Sequence, residues 1–251
     1  MTRSSLVTLR SDETGSYEVE VFEAETPKAI VLCATGFGMN RYDGSNLFGD
    51  IAEKLSDYTV VLVELHDSLP VGLTVNPLSR QIERFNKLLS DYSQADIPVV
   101  LVGHSMGCLV ISKSDALRNH TVFLAPAVRD ITKTLKNTLL SREGTSEDAD
   151  GTMHAKRSDG TTSIVPAKFW QEASLLNIAS LYKEATARIQ INVVIAGEDQ
   201  ILKAETSDLQ SIPFQSITTI SQADHDFSGS GRSTLLEELH KLVDIASQKE
   251  N

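Results

Sequence analysis

The chain has 251 residues, 41% of them hydrophobic, enough to bury a large core without disulfides or metals. Its formal net charge is −11, which disfavours nucleic acid and anionic membrane surfaces as partners. The two cysteines, Cys33 and Cys108, form no metal-ligand pattern and no disulfide framework, and read as reduced core thiols.

The opening "MTRSSLVTLRSDETG" carries no long apolar h-region, and no apolar run approaches the ~20 residues of a membrane span. A cytoplasmic protein without a membrane span is expected. "YEVEVFEAE" at 17–25 alternates and predicts a half-buried strand. "AIVLCAT" at 29–35 and "TVVLVEL" at 59–65 are continuous apolar runs, as in strands covered on both faces. Between them, 46–57 places Leu47, Phe48, Ile51, Ala52 and Leu55 on one helical face. A second amphipathic helix is predicted over 78–92. "PVVLVG" at 98–103 is the next buried strand, with a helix from Met106. Further strands follow at 121–127, 191–197 and 215–223, and a last helix at 233–246. Buried strands alternating with amphipathic helices predict an α/β fold, a mostly parallel sheet covered by helices on both faces.

The stretch 128–188 interrupts this rhythm. A helical segment opens it, a polar run containing the turn signal Asp159-Gly160 follows, and "AKFWQEASLLNIASLY" at 167–182 returns to helix. The expected organisation is a core of 1–127 and 189–251 with 128–188 inserted as a cap.

The chemistry-bearing stretch is "VVLVGHSMGCLV" at 99–110. A parallel strand ending at Gly103 and a helix starting at Met106 need a very tight turn, with small residues two positions either side of Ser105. This G-x-S-x-G pattern is a nucleophile elbow, which raises the serine above the carboxyl edge of the sheet. The Met106 N–H, at the start of the helix, faces any negative charge that forms there. A serine needs a base. Of six histidines, His225 in "SQADHDFSG" follows the last strand and precedes the last helix, on the edge that carries Ser105. His104 sits inside the elbow and should point away from the serine. "VVIAGEDQIL" supplies the acid that orients the base: Asp199 leads, with Glu198 in reserve. In "TGFGMNRYDG" at 35–44, Gly36 and Gly38 allow close backbone approach, and the Phe37 N–H is the second expected oxyanion donor beside Met106. Gly36, Asn40, His104 and Trp170 are the expected substrate contacts, with Tyr42 near the same site. No metal is expected.

The motifs "GHSMG", "AGEDQIL" and "ADHDF", in this order, resemble those of the α/β-hydrolase superfamily, serine esterase type. The insert is loosely similar to those of lysophospholipase-like and feruloyl-esterase-like members. The resemblance implies a Ser105–Asp199–His225 triad, ester cleavage through an acyl-enzyme, a small-molecule ester substrate and no cofactor. Three positions depart from the pattern. Thr35-Gly36 stands where the family has His-Gly, so Thr35 offers a hydroxyl there. Asp199 comes one residue early, with Gln200 at the usual place. "ELHDSLPVG" at 64–72 lacks the usual Asp-x-Gly-x-Gly, which implies a remodelled loop. The same triad would serve a thioesterase, acyltransferase or aminopeptidase. A non-catalytic binding protein on this fold is the reading from another class; intact Ser105 and His225 argue against it.

Overall fold

The computed structural model describes residues 4–12, 15–70, 72–94, 96–129, 132–157, 159–202 and 209–248. An eight-stranded sheet runs through it. Its first two strands, β1 (Leu6–Asp12) and β2 (Gly15–Phe22), pair antiparallel. Then come β3 (Ile30–Ala34), helix α1 (Asp43–Lys54), β4 (Thr59–Val63), the short β5 (Asp67–Leu69) and β6 (Gly72–Thr74), and α2 (Leu78–Tyr92). Next are β7 (Val99–His104), α3 (Gly107–Lys113), β8 (His120–Leu124), α4 (Thr132–Leu140), β9 (Ser146–Glu147), β10 (Met153–Lys156) and β11 (Thr162–Val165). The chain closes with α5 (Ala167–Ser174), α6 (Ile178–Thr186), β12 (Gln190–Ala196), β13 (Ser216–Ile220) and α7 (Ser230–Gln248).

The main sheet has the order β1-β2-β4-β3-β7-β8-β12-β13 and is parallel from β4 onward. Period-two alternation sorts its side chains into two cores. Leu32, Val61, Leu101, Phe123 and Val193 face α2, α3 and α6; Val31, Val60, Val100, Val122 and Val194 face α1 and α7. Every residue of β3, β4, β7 and β8 is buried, which explains their continuous apolar runs.

The structure adds to the sequence reading at several points. Strand β1 has no apolar signature: it is an edge strand with Leu6, Val7 and Leu9 exposed, and it is held by pairing to β2. The loop after β4 forms the β5–β6 hairpin, and β6 pairs parallel with β11 of the insert. A second, five-stranded sheet β5-β6-β11-β10-β9 results, joining core and insert. A Cβ on Gly72 would lie 1.9 Å from the Thr162 carbonyl oxygen, so only glycine lets these strands meet. Gly160, with φ +84°, turns β10 into β11 at the expected hairpin.

The helix expected from Arg129 is found from Thr132; residues 130–131 lie outside the described set. The single helix expected over 167–182 is two. Asn177 breaks it by capping α6: its side-chain oxygen accepts from the Ser180 N–H at 3.0 Å. Within the stretch expected as a cap, α6 packs on the sheet as a crossover helix does. Tyr182 is fully buried against Phe123, and its hydroxyl donates to the Ala127 carbonyl at 2.7 Å. Among the described residues no helix is long and apolar enough to cross a membrane.

Candidate active site

Strand β7 ends at His104, Ser105 occupies the apex of the turn, and α3 begins at Gly107. Ser105 has φ +54°, a left-handed backbone that an L-residue holds only at a cost. The Ser105 N–H is anchored on the Leu124 carbonyl at 2.9 Å, and the Cys108 N–H donates to the Ser105 carbonyl at 3.1 Å. Both glycines of the motif are spacers: a Cβ on Gly107 would sit 2.2 Å from the Ala34 carbonyl oxygen, and one on Gly103 3.0 Å from the Cys108 backbone. The elbow is therefore pressed against the loop that follows β3.

His225 lies in the loop between β13 and α7. Its Nε2 stands 3.0 Å from Ser105 Oγ and its Nδ1 2.7 Å from Asp199 Oδ2. A carboxylate can only accept, so Nδ1 carries the proton and Nε2 is the free acceptor facing the serine hydroxyl. Asp199 is 5% exposed. Its other oxygen, Oδ1, accepts from the Ile201 and Leu202 N–H groups at 2.8 Å each. Burial works to raise the Asp199 carboxyl; the His225 contact and the two backbone donors outweigh it and hold the pKa below the ordinary value. Glu198 is exposed, whereas Asp199 is buried beside His225. Asp224 is likewise engaged elsewhere, accepting from the Ser228 N–H at 2.7 Å and from the Ser228 hydroxyl.

Phe37 and Met106 flank Ser105 from the β3 loop and the start of α3. Among the described residues neither backbone N–H has a protein acceptor. A Cβ on Gly36 would lie 3.3 Å from Ser105 Cβ, so the β3 loop touches the serine. Thr35 does not serve as a donor here: it is 1% exposed, and its hydroxyl is turned to the Met39 carbonyl at 3.3 Å.

The expected substrate contacts divide. Gly36 stays beside the serine. Asn40 is half-buried; its side-chain oxygen accepts from the Tyr42 N–H and its own N–H donates to Asp43, both at 2.8 Å. It lines a cavity of about 160 Å³ at the seam with the insert, together with His66 and Arg157. Trp170 is buried in an aromatic group with Phe169 and Phe37, so its indole backs the Phe37 ring. His104 is corrected: it is fully buried and cannot touch a substrate. Its Nε2 donates to the His225 carbonyl at 2.9 Å, and its ring lies 4.9 Å from the His225 ring. Burial, with the nearby His225, pulls its pKa down to about 3, so it stays neutral.

Several supporting groups carry no local sequence signal. Arg41 is 7% exposed and joins β2 to β4 by donating to Glu20 at 2.8 Å, Glu64 at 2.9 Å and Glu18 at 2.7 Å. His66 Nε2 lies 3.1 Å from the Gly38 nitrogen and 3.2 Å from the Gly36 carbonyl oxygen, bracing the β3 loop from β4. Arg232 of α7 donates to the carbonyls of Asp226, Phe227 and Gly44 and so fixes the loop behind His225. His104, His225 and Asp226 form the one group with metal-ligand spacing among the described residues, with ligand atoms within 4.8 Å of one another. Both His225 nitrogens and His104 Nε2 are already engaged, which leaves that group two residues, His104 through Nδ1 and Asp226, for a metal.

No family model matches the sequence, and no curated protein matches it. Solved structures do. The chain is similar to Est1E from Butyrivibrio proteoclasticus, with TM-score 0.70 and 13% identity over 97% of this chain and 99% of that one. It is similar to the esterase domain of a Rhodothermus marinus protein, with TM-score 0.69 and 16% identity over 97% and 99%. A third is the alpha/beta hydrolase GrgF from Penicillium sp. sh18, with TM-score 0.69 and 11% identity over 97% and 99%. These likenesses extend over nearly the whole chain, and the fold is the α/β-hydrolase fold.

Proposed function

We propose that this α/β-hydrolase-fold chain is a serine hydrolase that cleaves carboxylic esters through an acyl-enzyme. The observation that carries this is the continuous contact chain Ser105 Oγ–His225–Asp199, at 3.0 and 2.7 Å, beside two backbone N–H groups without acceptors among the described residues.

In the proposed reaction Ser105 Oγ attacks the ester carbonyl carbon while its proton passes to His225 Nε2. Asp199 stabilises the imidazolium and holds its tautomer. The carbonyl oxygen becomes an oxyanion, to which the Phe37 and Met106 N–H groups donate. His225 then returns the proton to the departing alkoxide oxygen, and the alcohol leaves. Water enters, gives a proton to the same nitrogen and attacks the acyl carbonyl carbon; as the acyl–Oγ bond breaks, His225 passes that proton to Ser105 Oγ, and the acid leaves the regenerated enzyme. No step needs a metal.

The Phe37 ring, half-buried and backed by Phe169 and Trp170 at centroid distances of 5.2 and 6.0 Å, favours an ester with an apolar or aromatic part. The structures similar to this chain include Est1E with ferulic acid bound. The direct test is hydrolysis of p-nitrophenyl esters from acetate to decanoate by wild type and Ser105→Ala. Turnover that varies with acyl length and vanishes in the variant supports the reading; turnover that survives in the variant overturns it.

A further inference from the structure

The insert reaches the β3 loop at two places, and both lie beside Phe37. From the β10–β11 hairpin, Arg157 Nη1 donates to the Gly38 carbonyl at 2.6 Å and Nη2 to Asp43 Oδ2 at 2.7 Å. Nη1 also approaches Ser163 Oγ at 3.3 Å, and Nε faces Asp159 at 3.6 Å. Asp43 Oδ2 in turn accepts from the Asn40 N–H at 2.8 Å. One guanidinium thus pins the loop at Gly38 directly and at Asn40 through Asp43. From α5, Phe169 and Trp170 pack on the Phe37 side chain. The Gly36 carbonyl, in the same peptide unit as the Phe37 N–H, lies 3.2 Å from His66 Nε2 and accepts from the Met39 N–H at 3.4 Å, so the loop is braced on its near side. Gly38 has φ +60°, a left-handed setting that glycine leaves as readily as it enters, and its carbonyl is held by Arg157. An oxyanion donor works only when it is aimed in advance.

We infer that the insert is a structural part of the oxyanion hole, with Arg157 as the positioning residue that sets the Phe37 N–H. This rests on the functional reading above. Arg157 touches no reacting atom; it acts through the Gly38 carbonyl and the Asp43 carboxylate. Its planar fork reaches both acceptors at once, which a lysine ammonium on a single stem does not do equally well.

The test compares wild type, Arg157→Ala and Arg157→Lys, with His154→Ala as a control on the same hairpin. Among the described residues the His154 side chain pairs with Asp148 near the surface. Rates are normalised to active sites titrated with a fluorophosphonate, so that loss of folded protein does not count. Arg157→Ala is expected to lower kcat on a p-nitrophenyl ester by roughly 10- to 100-fold with KM nearly unchanged. Its affinity for an alkyl boronic acid, a tetrahedral mimic, should fall with kcat/KM. Arg157→Lys should lie between, and His154→Ala should match wild type. If Arg157→Ala does not fold, Arg157→Lys alone carries the comparison. An Arg157 variant with wild-type kcat and boronate affinity overturns the inference, as does one that changes KM alone. A wild type that neither hydrolyses esters nor takes up fluorophosphonate instead overturns the functional reading beneath it.

Discussion

Ser105 and His225 are 120 residues apart in the chain and meet at 3.0 Å, hydroxyl oxygen to Nε2. Everything that brings them together lies at the carboxyl edge of the parallel sheet. The elbow ends β7, Asp199 follows β12, and His225 follows β13. Ser105 and Phe227 both hold left-handed backbone there, with φ of +54° and +51°.

Asp199→Asn should lower kcat by on the order of 10⁴-fold while leaving the fold intact, because an amide presents an N–H to Nδ1 and favours the wrong tautomer. Glu198→Gln should leave kcat near wild type, since Glu198 is exposed and outside the contact chain. Steady-state kinetics on one p-nitrophenyl ester check both. A larger loss in the Glu198 variant would reassign the acid.

The strain at Ser105 gives a stability prediction. Alanine keeps the Cβ that disfavours φ +54°, and glycine removes it. Ser105→Gly should therefore be more stable than Ser105→Ala by about 1 kcal/mol, after allowing for glycine's freer unfolded chain. Urea unfolding of the two inactive variants measures this directly, and equal midpoints would argue against a strained elbow.

Much of this site could be read from the sequence because its parts are local. Ser105, the reserve and leading acids Glu198 and Asp199, and His225 each sit in a short motif next to a recognisable strand. Residues that act across the chain could not be read so. Arg41, His66, Arg157 and Arg232 are ordinary polar positions until the sheet brings their acceptors to them. The β5–β6 hairpin was hidden for a similar reason: three-residue strands have no periodicity, and their pairing partner β11 lies some ninety residues on. His104 points away from the serine, as its place in the elbow implies, but adjacency in the elbow says nothing about depth: its ring is fully buried against His225 and makes no substrate contact.

Acid should destabilise the protein through two buried histidines. Burial lowers His66 from 6.5 to about 4 and His104 from 6.5 to about 3. In the unfolded chain both protonate near 6.5, so below that pH the unfolded state binds more protons than the folded one. Their contribution is complete above pH 6.5 and is lost as pH falls toward the folded values, by up to about 1.4 kcal/mol per pH unit for each ring. Urea midpoints between pH 7 and 5 should fall accordingly. His66→Asn should show a shallower slope; an unchanged slope would remove His66 from the account.

Arg41→Met should destabilise the protein strongly, because it strands Glu20 and Glu64, whose side chains are 5% and 6% exposed. Removing one partner of such a buried network costs about 3–5 kcal/mol. Burial already raises the Glu64 carboxyl despite Arg41. The penalty should therefore shrink as pH falls and the stranded Glu64 carboxyl takes up a proton. Chemical denaturation of the variant at pH 7 and pH 5 checks the size and the sign.

An activated Ser105 is a nucleophile that a fluorophosphonate captures irreversibly. Intact mass after incubation with such a reagent, followed by peptide mapping, should give one adduct per chain, on Ser105, and none in Ser105→Ala. Unmodified wild-type protein, or an adduct on another residue, would contradict an activated Ser105.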